Sequence, residues 1–317
     1  MMFDLMRESD LPLRDRTFVD NEPVKLSICC ITFNHANFVA QCLDGFLDQR
    51  CDFRVEIVIY DDASTDQTAA IISEYAARHP TIFRTMLMSD NQFSKGVNPY
   101  FGYVFPAAMG DYIAVCDGDD FWADPTKLSR QVRILDTEPN IALTFGRVRG
   151  VDENGKDTPY RGGVERDLSP KQLKAAPPIN TLTSCFRNIF RDGPVSLFVR
   201  TSTIGDLTVW GMLGYHGGAR FLPELLPANY RLRVGGLISM QGRERQITMT
   251  AITHLHLAAF HLEKGDTHAT LAAIKEMIAH FNEVGQGSLN YRSVWNEPIS
   301  RRFKRWRRAV KRRLRGR

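Results

Sequence analysis

Between residues 25 and 148, short β-rich runs alternate with stretches of helical periodicity, and this alternation narrows the possible folds more than any other feature of the chain. LSICCITF (26–33) is an apolar, β-branched run closed by Asn34, and behind it Phe38, Val39, Cys42, Leu43, Phe46 and Leu47 recur at helical spacing. RVEIVIY (54–60) is a second run, followed by Asp61-Asp62-Ala63-Ser64 and a helix for which Ser64 and Gln67 stand at capping-box spacing. RTMLM (84–88) and DYIAVC (111–116) predict a third and a fourth strand, with a helix around 99–108 bent by Pro106 between them. A further helix has Asp124 as N-cap and Pro125 in its first position, and IALTFGRV (141–148) predicts a fifth strand. The expectation is an α/β domain on a largely parallel sheet, whose ligands bind at the carboxyl ends of the strands.

Two acidic clusters fall at such ends: Asp61-Asp62 after the second run, and Asp117-Gly118-Asp119-Asp120 after the fourth. Carboxylates crowded this closely disfavour one another's ionisation unless a cation sits among them. Asp117-x-Asp119 at a strand end supplies hard oxygen ligands suited to Mg2+ or Mn2+, ions that share their shell with substrate phosphates and water. A calcium loop is excluded, because an EF-hand begun at Asp117 needs an oxygen ligand, Gly and Glu where the chain has Phe121, Trp122 and Leu128. A solvated turn in which Asp120 or Asp124 caps the next helix stays open at this point.

Residues 149–205 carry little periodicity and predict a long, loop-rich excursion of the kind that usually serves function. A helix over 206–216 and an extended segment over 221–233 follow, then two helices of an αα-hairpin around Gly265-Asp266. His254, His256 and His261 lie within the first of these helices without an HExxH-type pattern and are read as structural.

Four stretches, CITFNHANFVAQCLDGFLDQ, VIYDDASTDQT, NQFSKG and GDYIAVCDGDDFWADPTKLSRQV, resemble in order the sequence blocks of family 2 glycosyltransferases. The resemblance implies a GT-A fold, a Rossmann-like mixed and mostly parallel sheet flanked by helices, here with a C-terminal helical extension. It implies inverting sugar transfer from a nucleotide-sugar donor to a saccharide or lipid-linked acceptor, with Mn2+ or Mg2+ as cofactor. Carried onto this chain, Asp62 contacts the base, Asp117 the ribose, Asp119 the metal, and the backbone at Thr32 and Phe33 lines the base pocket. Asp120 either assists the metal or only caps. The general base of such relatives is an acidic residue shortly before a helix, which points to Asp206, whose other reading is an N-cap. The His of a YRxHxGG-like strand end is replaced by Arg233, which cannot ligate a metal because guanidinium has no free lone pair. Arg233 either pairs with the diphosphate or is a solvated strand end, and Lys95 either reaches a phosphate or is solvated.

The expected organisation is an N-terminal arm (1–24), a catalytic domain (25–238) with a nucleotide-binding half (25–148) and an acceptor-binding half (149–238), a helical hairpin (239–300) and a basic tail (301–317). At 317 residues, 43% hydrophobic and 24% charged, the composition is globular. The six cysteines form no CxxC pair and read as buried thiols of a reducing compartment. No secretory signal or apolar run long enough to span a bilayer is evident, so the expectation is a cytoplasmic protein. The tail holds no acid, while Phe303, Trp306, Val310 and Leu314 share one helical stripe. That is the pattern of an interfacial helix on an anionic membrane surface, and the interleaved aromatics favour it over a nucleic-acid arm. A nucleotidyltransferase is the enzymatic rival, but its triphosphate loop needs Gly and Lys, and TFNHANF (32–38) has neither. The rival from another class is a binding protein in which the acidic loop is inert and the basic tail engages nucleic acid.

Overall fold

Strand β1 (Leu26–Thr32) is buried on both faces. Leu26, Ile28 and Cys30 join one apolar cluster with Ile57, Ile59 and Ala114, while Cys29 points the other way into a second cluster with Val58, Tyr60, Ile113 and Phe186. Apolar residues at both phases of a two-residue period mark a central strand covered on both sides. The computed structural model describes residues 11–19, 22–191, 193, 195–233 and 242–285.

The strands that follow are β2 (Val55–Asp61), β3 (Phe83–Leu87), β4 (Tyr112–Val115), β5 (Ile141–Phe145), β6 (Val148–Val151), β7 (Cys185–Arg187), β8 (Gly218–Phe221) and β9 (Ala228–Arg231). Seven of them form one sheet in the order β3-β2-β1-β4-β7-β5-β8, and β6 pairs in parallel with β9. β3, β2, β1 and β4 run parallel, β7 is antiparallel to both its neighbours, and β5 is parallel to β8. The sheet is thus mixed and mostly parallel, as expected. Chain order reverses between β1 and β4, and this switch point opens a crevice at their carboxyl ends.

The helices are α1 (Val39–Leu47), α2 (Thr68–Arg78), α3 (Phe105–Ala107), α4 (Lys127–Thr137), α5 (Pro170–Lys174), α6 (Leu197–Arg200), α7 (Gly205–Leu213), α8 (Arg243–Glu263) and α9 (Thr267–Gly285). α1 lays Val39, Cys42, Leu43, Phe46 and Leu47 on the first cluster, the spacing that marked it in the sequence. α8 and α9 form the expected hairpin, closed at Gly265 with φ of 73°. Phe260 of α8 belongs to the second cluster, so the hairpin shares the core of the sheet's other face.

Several local expectations need correction. The strand expected over 141–148 is two strands, because Gly146 and Arg147 take the chain from the main sheet to the small one. The helix around 99–108 is a π-helical turn over Tyr100–Val104 running into α3, with Pro106 as the second residue of α3. No Ser64–Gln67 capping box forms: α2 starts at Thr68, whose amide donates to Asp66, while Ser64 is engaged across the crevice. Asp124 does not sit at the N-cap of α4. Its Oδ1 accepts from Thr126 and its Oδ2 from the amide of Leu226, so it ties the helix entry to the segment before β9. Residues 149–205 contain β7 in the middle of the sheet, and α5 with a Ser169–Gln172 capping box. All six cysteines are free and buried. The tail over 301–317 lies outside the described residues, and among those described no helix is long and apolar enough to cross a membrane.

Candidate active site

The parallel register places Thr32 beside Asp61 at the ends of β1 and β2. Thr32 Oγ1 donates to Asp61 Oδ1 at 2.9 Å, and the Asp62 amide donates to the Thr32 carbonyl at 3.0 Å. The two following loops are stitched together: the Asn34 amide donates to Ser64 Oγ, and Asn34 Oδ1 accepts from the Thr65 amide, both at 2.8 Å. Asn34 and Ala63 hold positive φ of 55° and 60° here, backbone geometry that costs free energy and marks a constrained site. Phe33 projects from the rim, 42% exposed.

Asp62 is buried, and both of its oxygens are engaged. Oδ1 accepts from the Tyr60 hydroxyl at 2.9 Å and the Gln92 amide at 2.7 Å, and Oδ2 from the Phe93 amide at 3.0 Å. The NQFSKG segment therefore hangs from Asp62. Lys95, on that segment, is exposed and pairs with Asp90 at 3.7 Å.

On the other side of β1, the Gly118 amide donates to the Ile31 carbonyl at 3.0 Å, bringing the acidic loop over the end of the strand. A Cβ at 118 would stand 2.4 Å from Thr32 Cγ2, so this approach needs glycine. Asp117 Oδ1 accepts from Tyr100 Oη at 2.5 Å. Burial pushes the Asp117 carboxyl up to about 7, with the Asp119 and Asp206 charges adding to the rise and the Tyr100 hydrogen bond and Arg233 opposing it. Asp119 Oδ2 receives Arg233 Nε at 2.6 Å and lies 3.6 Å from His35 Nε2. Arg233 Nη2 also lies 2.7 Å from His35 Nε2. Guanidinium only donates, so Nε2 is the acceptor and the imidazole proton sits on Nδ1, which is buried without a partner among the described residues. Burial lowers the His35 pKa, which keeps the ring neutral.

Asp120 caps no helix among those described. Its Oδ1 accepts from the Arg231 amide at 2.8 Å, and burial, reinforced by Asp119, holds its carboxyl well above the usual range. The Arg231 side chain is buried beneath the loop, where Nε donates to the Asp119 carbonyl at 2.8 Å and Nη2 to Gln41 Oε1 at 2.7 Å. Its guanidinium lies against the rings of Phe38 and Phe121. Arg231, His35 and Tyr100 were not singled out from the sequence. Arg231 was legible only as the second residue of the Tyr-Arg-x strand end, and neither His35 nor Tyr100 had any spacing signal.

Asp206 is the second residue of α7, so it is not an N-cap; Ile204 holds that position. Its Oδ2 accepts from Thr181 Oγ1 at 2.7 Å and its Oδ1 from the Leu207 amide at 2.8 Å. Burial raises its pKa against these hydrogen bonds. Asp206 thus joins Asp119 in acting on the charge of Asp117, although it comes from a different part of the chain.

No three His, Cys, Asp or Glu side chains stand together at metal-binding spacing among the described residues. The donor set fits a divalent ion of the kind held by one or two carboxylates and completed by substrate phosphates and water. Asp119 is the candidate ligand, and Arg233 already neutralises one of its oxygens.

The mixed, mostly parallel sheet flanked by helices matches the GT-A fold of glycosyltransferase structures. The fold is similar to that of S. aureus TarS in complex with UDP-GlcNAc, with a TM-score of 0.59 at 17% identity over 88% of this chain and 78% of that one. It is also similar to the mannosyltransferase PcManGT from Pyrobaculum calidifontis in complex with GDP-Man and Mn2+, with a TM-score of 0.51 at 17% identity over 93% and 84% of the two chains. The model of the family described as Glycosyl transferase family 2 matches residues 27–196, and the chain belongs to that family. An uncharacterized protein of Mycobacterium tuberculosis, Rv1520, is 44% identical over 51% of this chain and 46% of its own length. The Escherichia coli glucosyltransferase WfaP, named for UDP-Glc and α-D-GlcNAc-diphosphoundecaprenol, is 30% identical over 36% of this chain and 42% of its own. The chain spans about half the length of these curated relatives or less.

Proposed function

We propose that the protein transfers a sugar from a nucleoside-diphosphate sugar to an acceptor hydroxyl with inversion, in the assembly of a surface polysaccharide or glycolipid. The observation that carries this reading is the meeting of the two strand-end acidic loops at the end of β1, where Thr32 Oγ1 bonds Asp61 and the Gly118 amide bonds Ile31, with the Asp206 charge adding to the rise at Asp117. Thr32, Phe33 and the loop anchored by Asp62 border the base pocket, Asp117 meets the ribose, and Arg233 meets the diphosphate. Asp119, assisted by Asp120, would hold a Mn2+ or Mg2+ ion, which would supply Lewis-acid stabilisation of the leaving diphosphate. Asp206 accepts the proton of the attacking hydroxyl, and the burial that raises its pKa strengthens it as a base. Thr181 orients that carboxylate through its hydrogen bond.

Donor hydrolysis, followed with a panel of nucleotide sugars and with Mn2+ or Mg2+ present or chelated, tests the assignment in wild type and Asp119→Ala. Metal-stimulated hydrolysis lost in the variant is the expected result; equal rates in both proteins overturn it. The name of WfaP and the basic stripe at 301–317 support a lipid-linked acceptor at an anionic membrane surface. Deleting 301–317 is then expected to abolish binding to anionic liposomes while nucleotide binding persists.

A further inference from the structure

A cavity of about 300 Å3 lies between the NQFSKG segment, the chain entering α7 and the start of α8. One wall is the Phe93–Asn98 segment, whose first amide is bonded to Asp62. The opposite wall is Arg200 to Thr203, which leads through Ile204 and Gly205 to Asp206. A Cβ at Gly205 would stand 2.9 Å from Asn98 Nδ2, so the two walls meet at the base-bearing helix. The first turns of α8 close the third side with Arg245 and Met249. The cavity thus lies between the segment held by Asp62 and the chain that enters the helix bearing Asp206.

Its charge is specific. Arg200 and Arg245 both line it, both are exposed, and among the described residues neither is ion-paired with a carboxylate. Other arginines nearby are engaged: Arg243 pairs with Glu283 at 2.8 Å and Arg233 with Asp119. Arg245 also occupies the first turn of α8, where free amides already create a positive end and a further cation is unfavourable. An anion between the two guanidiniums relieves both unfavourable features. Planar guanidinium forks match phosphate oxygens in pairs, and the Thr203 hydroxyl adds a donor. Phe93, 50% exposed, and Met249 give the same cavity an apolar side.

We propose that this cavity binds a phosphate or diphosphate group carried by the acceptor, holding it while its hydroxyl faces Asp206. The proposal rests on the sugar-transfer reading and adds the acceptor's chemical class to it. A lipid diphosphate and a polyol phosphate share this chemistry.

The test is calorimetric titration of the full chain, its donor site first saturated with the nucleoside diphosphate that binds it best. Farnesyl diphosphate, farnesol and glycerol 3-phosphate are the probes. Farnesyl diphosphate is expected to bind, and Arg200→Ala and Arg245→Ala each to weaken it about tenfold, the scale of one hydrogen bond to a charged group. Nucleoside diphosphate affinity, read separately, is expected to hold in both variants, so loss of the donor site and loss of this subsite give different results. Glycerol 3-phosphate binding with the same dependence on the arginines assigns a polyol phosphate source, and farnesyl diphosphate alone assigns a lipid source. Affinities unchanged in both variants, or farnesol binding as tightly as its diphosphate, overturn the proposal.

Discussion

Arg233 Nε lies 2.6 Å from Asp119 Oδ2, so the acidic loop carries a guanidinium counter-charge from the far end of the domain. Asp117, Asp119 and Asp120 crowd three carboxyls onto one short loop, and Arg233 offsets part of their mutual repulsion while burial holds two of them toward the protonated form. In the proposed reading the same cation meets the diphosphate of a donor.

Arg233→Ala is therefore expected to weaken nucleoside diphosphate binding about tenfold, and Arg233→Lys not to restore it, because an ammonium cannot bridge two acceptors as a fork does. Titration in chelator reads the effect without metal. Affinity equal to wild type in both variants removes Arg233 from the donor site.

Asp206→Asn keeps the shape of the side chain and one acceptor while removing its basicity. Turnover is expected to fall by about a hundredfold or more, with the nucleotide dissociation constant within about twofold of wild type. A large loss of nucleotide affinity would instead make Asp206 a binding residue.

Arg231 is buried and bonded to the backbone of the acidic loop, to Gln41, and to the carbonyls of Asp152 and Glu153. Truncating it removes the donors to the Asp119 carbonyl and to Gln41 beneath the loop, and Arg231→Ala is expected to cost about 2–4 kcal/mol in urea unfolding. A change below about 1 kcal/mol contradicts its role as the strut of the loop.

Asp266 opens α9 and reaches back to α5. The amide of Ala269, then Lys174 at 2.8 Å, hold its carboxyl down to about 2, from an ordinary 3.8. Between those values the unfolded chain binds more protons, so the stabilisation is complete above the ordinary value and is lost as pH falls through about 2. The melting-temperature gap between wild type and Asp266→Ala should stay level from about pH 7 to 5 and narrow toward about pH 2.5. A gap that persists undiminished there would mean that Asp266 acts by packing alone.

The strands that bear the site were legible because each is an apolar run with polar residues at its exit: Thr32 and Asn34 at the end of β1, Asp61 and Asp62 at the end of β2, Asp117 shortly after β4. β7 was not legible. Cys185–Arg187 is too short to show a period, and only its pairing with β4 and β5 makes it a strand. The capping expectations at Ser64 and Asp124 failed for one reason. A side chain that can cap its own helix can equally bond a distant partner, and here Asn34 and Leu226 compete for them.

The sequence by itself determined the α/β class, the two acidic loops at strand ends and the helical hairpin, because periodicity, turn residues and strand-end polarity are local properties of the chain. Only the tertiary structure decided that Arg233 pairs with Asp119, that Arg231 lies beneath the acidic loop, and that Asp206 acts on Asp117. Those pairings join residues far apart in sequence through the sheet order and the return of β9, and charges interact by distance in space.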